Sequence, residues 1–318
     1  MKIDLSSPIL DGLNLSGYDL PNISLAGHKL VNCVFSGANL QGADFTKATL
    51  TNCDFSQASL NDAIFDAAEL ENVSFVLAQL NRATFIRSNF INVNLEAASL
   101  NRALLQDLRL ENLVLNATDL RQATLFGINA TLHLFEADLT QTHFVNCNLP
   151  HLSLKHCVAL MLVLENCLAK LEVLDSDLSQ CVAMHCDLKA ACFKNTKLYL
   201  AAFIGSDLHG ASLHKADLQY AHLNTCKLSG ADLSLANLDY ANLSLADLSL
   251  ANLRSASLRY ANLAHALLAH TALLKADLSY ANFHAVDLHT ADTTQANLTG
   301  MRGTDAALLK AEQFKPEP

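Results

Sequence analysis

Apolar and polar positions recur in this chain on a period of five. From Leu5 to Leu125 a Leu or Phe stands at every multiple of five, including Leu10, Leu15, Phe35, Phe45, Phe55, Phe65, Phe75 and Phe85. The most regular stretch runs from Ala216 to Phe283, where Leu218, Leu223, Leu228 and Leu233 open a series that ends at Phe283. Two residues before each apolar centre sits a small residue, nearly always Ala. A second period of twenty lies on the first. Tyr220, Tyr240, Tyr260 and Tyr280 form one column, and Asn32, Asn52, Asn72, Asn92 and Asn112 another. Asn61, Asn81 and Asn101 run beside Asp62, Arg82 and Arg102. Neither the helix period nor strict strand alternation produces such columns. Four five-residue units closing one coil do, because residues twenty apart then stack at the ~4.8 Å spacing of neighbouring strands. The pattern predicts a solenoid of short strands with turns at its corners.

The frame shortens twice. Near 126–133 the apolar centres move to Leu134, Leu139, Phe144, Leu149, Leu154, Ala159 and Leu164, one residue short of the earlier register. A second loss near 174–178 leads to Leu178, Leu188, Phe193, Leu198 and Phe203. No linker composition accompanies either, so residues 1–303 are predicted as one repeat domain with shortened corners that bend or re-twist it. Thr293 and Gly303 occupy apolar slots as the repeat fades. Residues 304–318 are predicted as a short helix and tail, with Thr304 as N-cap and Leu308, Leu309 and Phe314 covering the last coil. At the other end Pro8 and Pro21 discourage edge pairing.

Ala-Asp/Asn-Leu triplets stand at 38–40, 137–139, 216–218, 231–233, 236–238, 241–243, 246–248, 251–253, 261–263, 276–278 and 296–298, with Phe variants at 43–45 and 281–283. The chain thereby resembles the pentapeptide-repeat family, whose consensus is A(D/N)LXX. That resemblance implies an all-β solenoid, a right-handed quadrilateral β-helix of about 15–16 coils, with the central Leu or Phe and the small residue two before it pointing inward. At ~4.8 Å per coil this is a rod of roughly 75 Å. Some family members look like B-form DNA, bind type II topoisomerases such as DNA gyrase and protect them from antibiotics. Others are secreted effectors or scaffolds. This chain is longer than the topoisomerase-protecting proteins. It also shows no loop insertion of the kind some of them depend on, and none of their functional residues is carried over individually.

The charge refines this picture. The chain holds 31 Asp and Glu against 21 Lys and Arg, a net −10. Such a balance argues against direct nucleic-acid binding and permits competition with nucleic acid for a basic protein partner. The charge is thinly spread, with 13 acids and 8 bases in residues 1–125 and 18 and 13 in residues 126–318. No apolar run approaches the roughly 18 residues of a membrane helix, and the repeat begins at once. A cytoplasmic protein without membrane contact is expected, with receptor-read secretion as an effector left open. The resulting function is non-catalytic binding. In its most concrete form, outward Asp207, Asp217, Asp232, Asp239, Asp247, Asp277 and Asp287 stand in for phosphates in the DNA-binding saddle of a type II topoisomerase. The rival is a scaffold or effector that docks a protein through the Tyr column or an apolar belt.

Other candidate chemistry is weaker. Eight of nine cysteines (Cys33, Cys53, Cys147, Cys157, Cys167, Cys181, Cys186 and Cys226) fall where Ala usually sits, so they are expected as small core residues. Neither CxxC spacing nor a disulfide framework is indicated. Five-apart histidine pairs such as His151/His156, His209/His214, His265/His270 and His284/His289 should lie across corners, which is poor geometry for one metal. No metal, cofactor or catalytic constellation is expected. The Tyr column either only stabilises its face or also binds. Leu160, Met161, Val163, Leu168, Leu171 and Val173 occupy positions that the register turns outward. They form a candidate interface, including for a homodimer, unless the frame changes turn them inward. If the frame changes are simple deletions, the Tyr column falls two faces from the Asn column.

Overall fold

Two inward side chains separated by one outward residue require an extended segment, because alternate side chains of a strand point to opposite sides. The other two residues of each five must then turn the chain. The computed structural model, which describes residues 7–313, shows this division of labour throughout. Cys33 and Phe35, Ala38 and Leu40, and Ala236 and Leu238 are representative buried pairs. The residue two after most centres is left-handed, as at Asn32 (φ 53), Gln57 (φ 60) and Tyr240 (φ 62). A non-glycine residue there costs on the order of 1 kcal/mol. The coil-to-coil ladder offsets it: the Asn32 N–H donates to Thr51 O at 2.9 Å, and the Tyr240 N–H to Arg259 O at 2.9 Å. Many corners also close locally, as where the Ala43 N–H donates to Leu40 O at 3.0 Å.

The chain divides into two compact units, one ending at Leu168 and one beginning at Ala169. In the first, parallel strands at Ile9–Asp11, Lys29–Val31, Thr49–Thr51, Glu69–Glu71, Asn89–Ile91 and Arg109–Glu111 lie side by side in that order. Their register sets Leu30 against Leu50, Leu50 against Leu70 and Leu70 against Phe90. Another sheet joins Thr84–Ile86, Leu104–Gln106, Thr124–Phe126, His143–Val145 and Val163–Glu165, again in parallel. Remaining faces are held by single parallel bridges such as Asn39↔Ser59 and Asp44↔Ile64. In the second unit such bridges recur every twenty residues, as in Asp207↔Lys227↔Asp247. This is the all-β solenoid expected from the repeat. No helix among the described residues is long and apolar enough to cross a membrane.

Twenty-residue register turns like residues into ladders. Inside the first unit Phe45, Phe65 and Phe85 stack at 4.7 and 4.9 Å, and Phe35 and Phe55 at 4.7 Å. The two columns meet edge to face, as in Phe45–Phe55 at 5.5 Å and 88°. Outside, each carboxamide of the Asn column donates Nδ2–H to Oδ1 one coil back. The links Asn52–Asn32, Asn72–Asn52, Asn92–Asn72 and Asn112–Asn92 measure 2.9–3.1 Å. The column starts on Asp11, whose Oδ1 accepts from Asn32 at 3.0 Å.

Where the frame changes, a corner is drawn out. Leu132–Phe135 pairs with the long strand Asn148–Lys155, which runs straight past Pro150 and His151 and buries Leu149, Leu152 and Leu154. Leu125 lies opposite Phe144, nineteen residues on instead of twenty. The strand Leu168–Leu174 likewise runs without a corner. Its burial pattern places the frame change at Ala169–Val173, ahead of the 174–178 that spacing indicates.

Two substitutions separate core from surface ladder. Phe65→Ala empties a site that Phe45, Phe75 and Phe85 line, and lowers unfolding free energy by about 3–5 kcal/mol. Asn72→Ala removes two exposed carboxamide links and costs about 1–2 kcal/mol. Urea unfolding followed by circular dichroism measures both.

Candidate interaction faces

The Tyr column is a stack. Tyr220–Tyr240, Tyr240–Tyr260 and Tyr260–Tyr280 lie 4.9, 4.9 and 5.0 Å apart, with ring planes within 7° of parallel. Each ring sits at a left-handed corner, and each is close to half-exposed. Tyr199 meets Tyr220 edge-on at 5.8 Å. At the other end Tyr280 leans over Gly300, where a Cβ would stand 2.6 Å from two ring atoms. Ring faces are thus mostly covered by one another, and edges and hydroxyls are what the column presents.

The acids behave differently from the sequence expectation. Asp207, Asp217, Asp232, Asp247, Asp277 and Asp287 each accept the backbone N–H two residues on, at 2.8–3.3 Å, and so brace their own turns. The bridge columns put Asp207 and Asp247 on one face, Asp217 and Asp277 on another and Asp232 on a third. Lys189 and Lys227 approach Asp207 at 3.5 and 3.7 Å. Asp239 does not belong with them: it is 3% exposed. Arg259 grips its Oδ2 with Nε and Nη2, and Ser257 and the Arg259 N–H hold Oδ1. The sequence expectation of an outward Asp239 fails because an arginine one coil away folds over it. Burial works against the ionised carboxyl, but the hydrogen bonds of Arg259 and Ser257 outweigh it and hold Asp239 below the usual carboxylate range.

The apolar belt is partly dissolved. Leu171 and Val173 are 2% and 1% exposed, because the straight strand Leu168–Leu174 turns both inward. They are not surface residues, contrary to the register argument. Leu160 and Val163 are half-buried, while Met161 and Leu168 are exposed, with Val158 nearby in sequence also exposed. Met161 Sδ accepts from Gln141 Nε2 at 3.6 Å, one coil away.

At the C-terminal end the predicted helix is present as Ala306–Glu312, but its N-cap is Asp305. Asp305 Oδ1 accepts from the N–H groups of Ala307 and Leu308 at 2.9 and 3.0 Å, the capping bonds that the sequence assigned to Thr304. Leu308 is exposed and Leu309 half-buried, and Phe314 lies outside the described residues. No described helix residue is fully buried, and the helix makes polar contacts with the coil. Glu312 Oε2 lies 3.3 Å from His265 Nε2 and 3.2 Å from His284 Nε2. The His284 contact above all, aided by His265, keeps Glu312 below the usual carboxylate range. Sequence spacing paired His265 with His270; the fold sets it against His284 instead, ring to ring at 5.2 Å.

Comparison with family models gives eight copies of the pentapeptide repeat, in matches spanning 29–112 and 191–292 and together covering more than half of the chain. The chain belongs to the pentapeptide-repeat family. The unmatched stretch 113–190 contains both frame changes. Among solved structures, HetL of the cyanobacterium Nostoc, involved in heterocyst differentiation regulation, is 24% identical over 93% of this chain and 91% of its own, with a TM-score of 0.18. QnrB1, a plasmid-mediated fluoroquinolone resistance protein, is 15% identical over 96% and 100%, with a TM-score of 0.23. A pentapeptide-repeat protein of the Arabidopsis thaliana thylakoid lumen is 33% identical over 36% and 65%, with a TM-score of 0.17. At these TM-scores the superpositions carry no argument, and the repeat matches decide the family. Comparison with curated protein sequences gives no match.

The cysteines of this pentapeptide-repeat protein are all free; eight are buried and Cys192 is half-buried. Six also donate to carbonyls one coil back: Cys33 to Leu10, Cys53 to Leu30, Cys147 to Leu125, Cys157 to Leu134, Cys167 to Phe144 and Cys226 to Phe203, at 2.6–3.5 Å. Ser88 and Thr118 donate in the same way to Phe65 and Leu95. The sequence shows which residues depart from Ala; it does not show the carbonyl they serve. Burial pushes the Cys181 and Cys226 thiols up to about 12.

Two outcomes follow from these environments. At neutral pH, Ellman's reagent titrates at most Cys192 quickly in native protein and all nine thiols after denaturation. A depressed carboxyl contributes stability above its unfolded value near pH 4 and loses it as pH falls through the folded value. Asp239→Asn therefore lowers stability at pH 7 and flattens the acid limb below about pH 4, read by urea unfolding across pH.

Proposed function

We propose that this pentapeptide-repeat protein is a non-catalytic binding protein, and that its docking edge is the column Tyr220–Tyr240–Tyr260–Tyr280. The observation that carries this reading is the placement of the rings. A left-handed corner favours Asn or Gly, and the Asn column of the first unit shows that an amide ladder suffices there. Tyrosine adds a strip of half-exposed ring edges and hydroxyls that the turn does not need. Such amphipathic edges suit protein contact. The partner is a basic protein surface, since the chain carries a net −10 that steers and orients such an encounter.

The finer reading makes that surface the DNA-binding saddle of a type II topoisomerase. The acid excess supports it, and so do the turn-bracing carboxylates of Asp207, Asp217, Asp232, Asp247, Asp277 and Asp287, which recur two or three coils apart within a column, as in Asp207 and Asp247 or Asp217 and Asp277. Their spread over three faces favours a partner that wraps around over one that reads a single stripe. The exposed Met161 and Leu168 are reserved for a second copy of the chain.

A supercoiling assay with DNA gyrase and topoisomerase IV, with and without a quinolone, tests the finer reading. Inhibition or drug protection is expected, and no effect on either enzyme removes the topoisomerase. Binding to whichever basic partner is found falls at least about tenfold in Tyr240→Ala/Tyr260→Ala. Unchanged affinity in a variant with native circular dichroism removes the Tyr edge. Leu168→Glu leaves the sedimentation coefficient unchanged if the belt is not a dimer contact, and lowers it if it is.

A further inference from the structure

We propose that His265, His284 and Glu312 form a site for a divalent ion of the zinc class, which clasps the C-terminal helix to the last coils. The three ligand atoms, two imidazole Nε2 and one carboxylate oxygen, lie within 4.8 Å of one another. The two edges that meet at Glu312 Oε2 measure 3.3 and 3.2 Å. A tetrahedral ion with bonds of about 2.0–2.2 Å holds its ligand atoms roughly 3.3–3.6 Å apart, so these edges are close to the lower end of what such an ion imposes.

The ligands come from three separate parts of the second unit. His265 sits on a left-handed corner (φ 60), His284 directly follows the apolar centre Phe283 one coil on, and Glu312 ends the helix. His284 is 5% exposed, which fixes the approach of its ring, while His265 and Glu312 remain accessible. Two imidazoles and one carboxylate suit zinc, cobalt and nickel better than magnesium or calcium, which prefer all-oxygen sets. The fourth position opens on a groove lined by Asn282, Arg302 and Gly303, room for a water or a ligand.

The proton balance is specific. Without an ion, His284 Nδ1 accepts the Asp305 N–H at 3.2 Å, so the neutral ring carries its proton on Nε2 and donates it to Glu312. Loading an ion on Nε2 moves that proton to Nδ1 and obliges the Asp305 N–H to turn away. Gly303 precedes this peptide by two residues, and a Cβ there would meet nothing within 4 Å, so the segment has room to turn. Metal binding is thus coupled to the start of the helix as well as to its end. The sequence alone pointed away from a metal, since spacing pairs His265 with a residue across a corner.

The full chain, stripped with chelator, is titrated with Zn²⁺ in a calorimeter and with Co²⁺ by visible absorption. The expected result is one ion per chain, with the strong visible bands of four-coordinate cobalt. His265→Ala and Glu312→Gln, both at accessible positions, each weaken binding at least about tenfold with unchanged circular dichroism. His270→Ala leaves it unchanged. Zn²⁺ also slows proteolytic removal of the helix in the native chain, and not in Glu312→Gln. The proposal is overturned by weak octahedral cobalt bands, by a titration without saturable one-to-one binding, or by variants at 265 and 312 that bind as the native chain does.

Discussion

Two inward side chains in every five, repeated four times per coil, is the constraint on which the rest of this structure depends. Filling the coil with Leu or Phe at one position and Ala at the other leaves room for a single registration of each coil on the next. Parallel pairing then follows at a fixed offset of twenty residues, shown by Leu30, Leu50 and Leu70 in one row. Any change in that count has to be absorbed at a corner. The straight strand Asn148–Lys155 and the nineteen-residue pairing of Leu125 with Phe144 show how the first unit absorbs it. Parallel strands are ordinarily joined by long crossovers; here the coil itself is the crossover.

Stacking at a fixed pitch makes every outward position part of a column, and chemistry decides what the column becomes. Amides link into a chain of hydrogen bonds, as from Asn32 to Asn112. Tyrosines pack face to face and surrender their ring faces to one another. Aspartates one residue before the apolar centre are occupied with backbone N–H groups of their own turns. An acid in this fold is therefore first a turn residue and only then a surface charge, so a count of carboxylates overstates what is free to meet a partner.

The regular coils and their ends hold different kinds of interaction. Inside, burial and ladder bonds dominate, and thiols and hydroxyls replace Ala where a carbonyl at a corner needs a donor. At the C-terminal end the apolar centres give way to Thr293 and Gly303, and no residue of the helix Ala306–Glu312 is fully buried. Polar contacts of Asp305 and Glu312 with His284 and His265 tie it to the last coils.

The repeat, the inward positions, the cysteines in the core and the Asn and Tyr columns were legible in the chain itself, because each follows from a period of five or twenty and needs no knowledge of distant contacts. What the chain could not show is where periodicity stops deciding. Asp239 occupies an outward position, and only the fold brings Arg259 over it. Leu171 and Val173 count as outward by register, and only a strand that skips its corner turns them in. Thr304 and Asp305 are both good caps by composition, and the hydrogen bond to His284 accompanies the choice of Asp305. His265 and Glu312 stand 47 residues apart with no period between them, so their meeting rests on where one short helix lies. Local period fixes backbone and burial; pairing of long side chains across coils is a tertiary matter, because their reach spans more than one coil spacing.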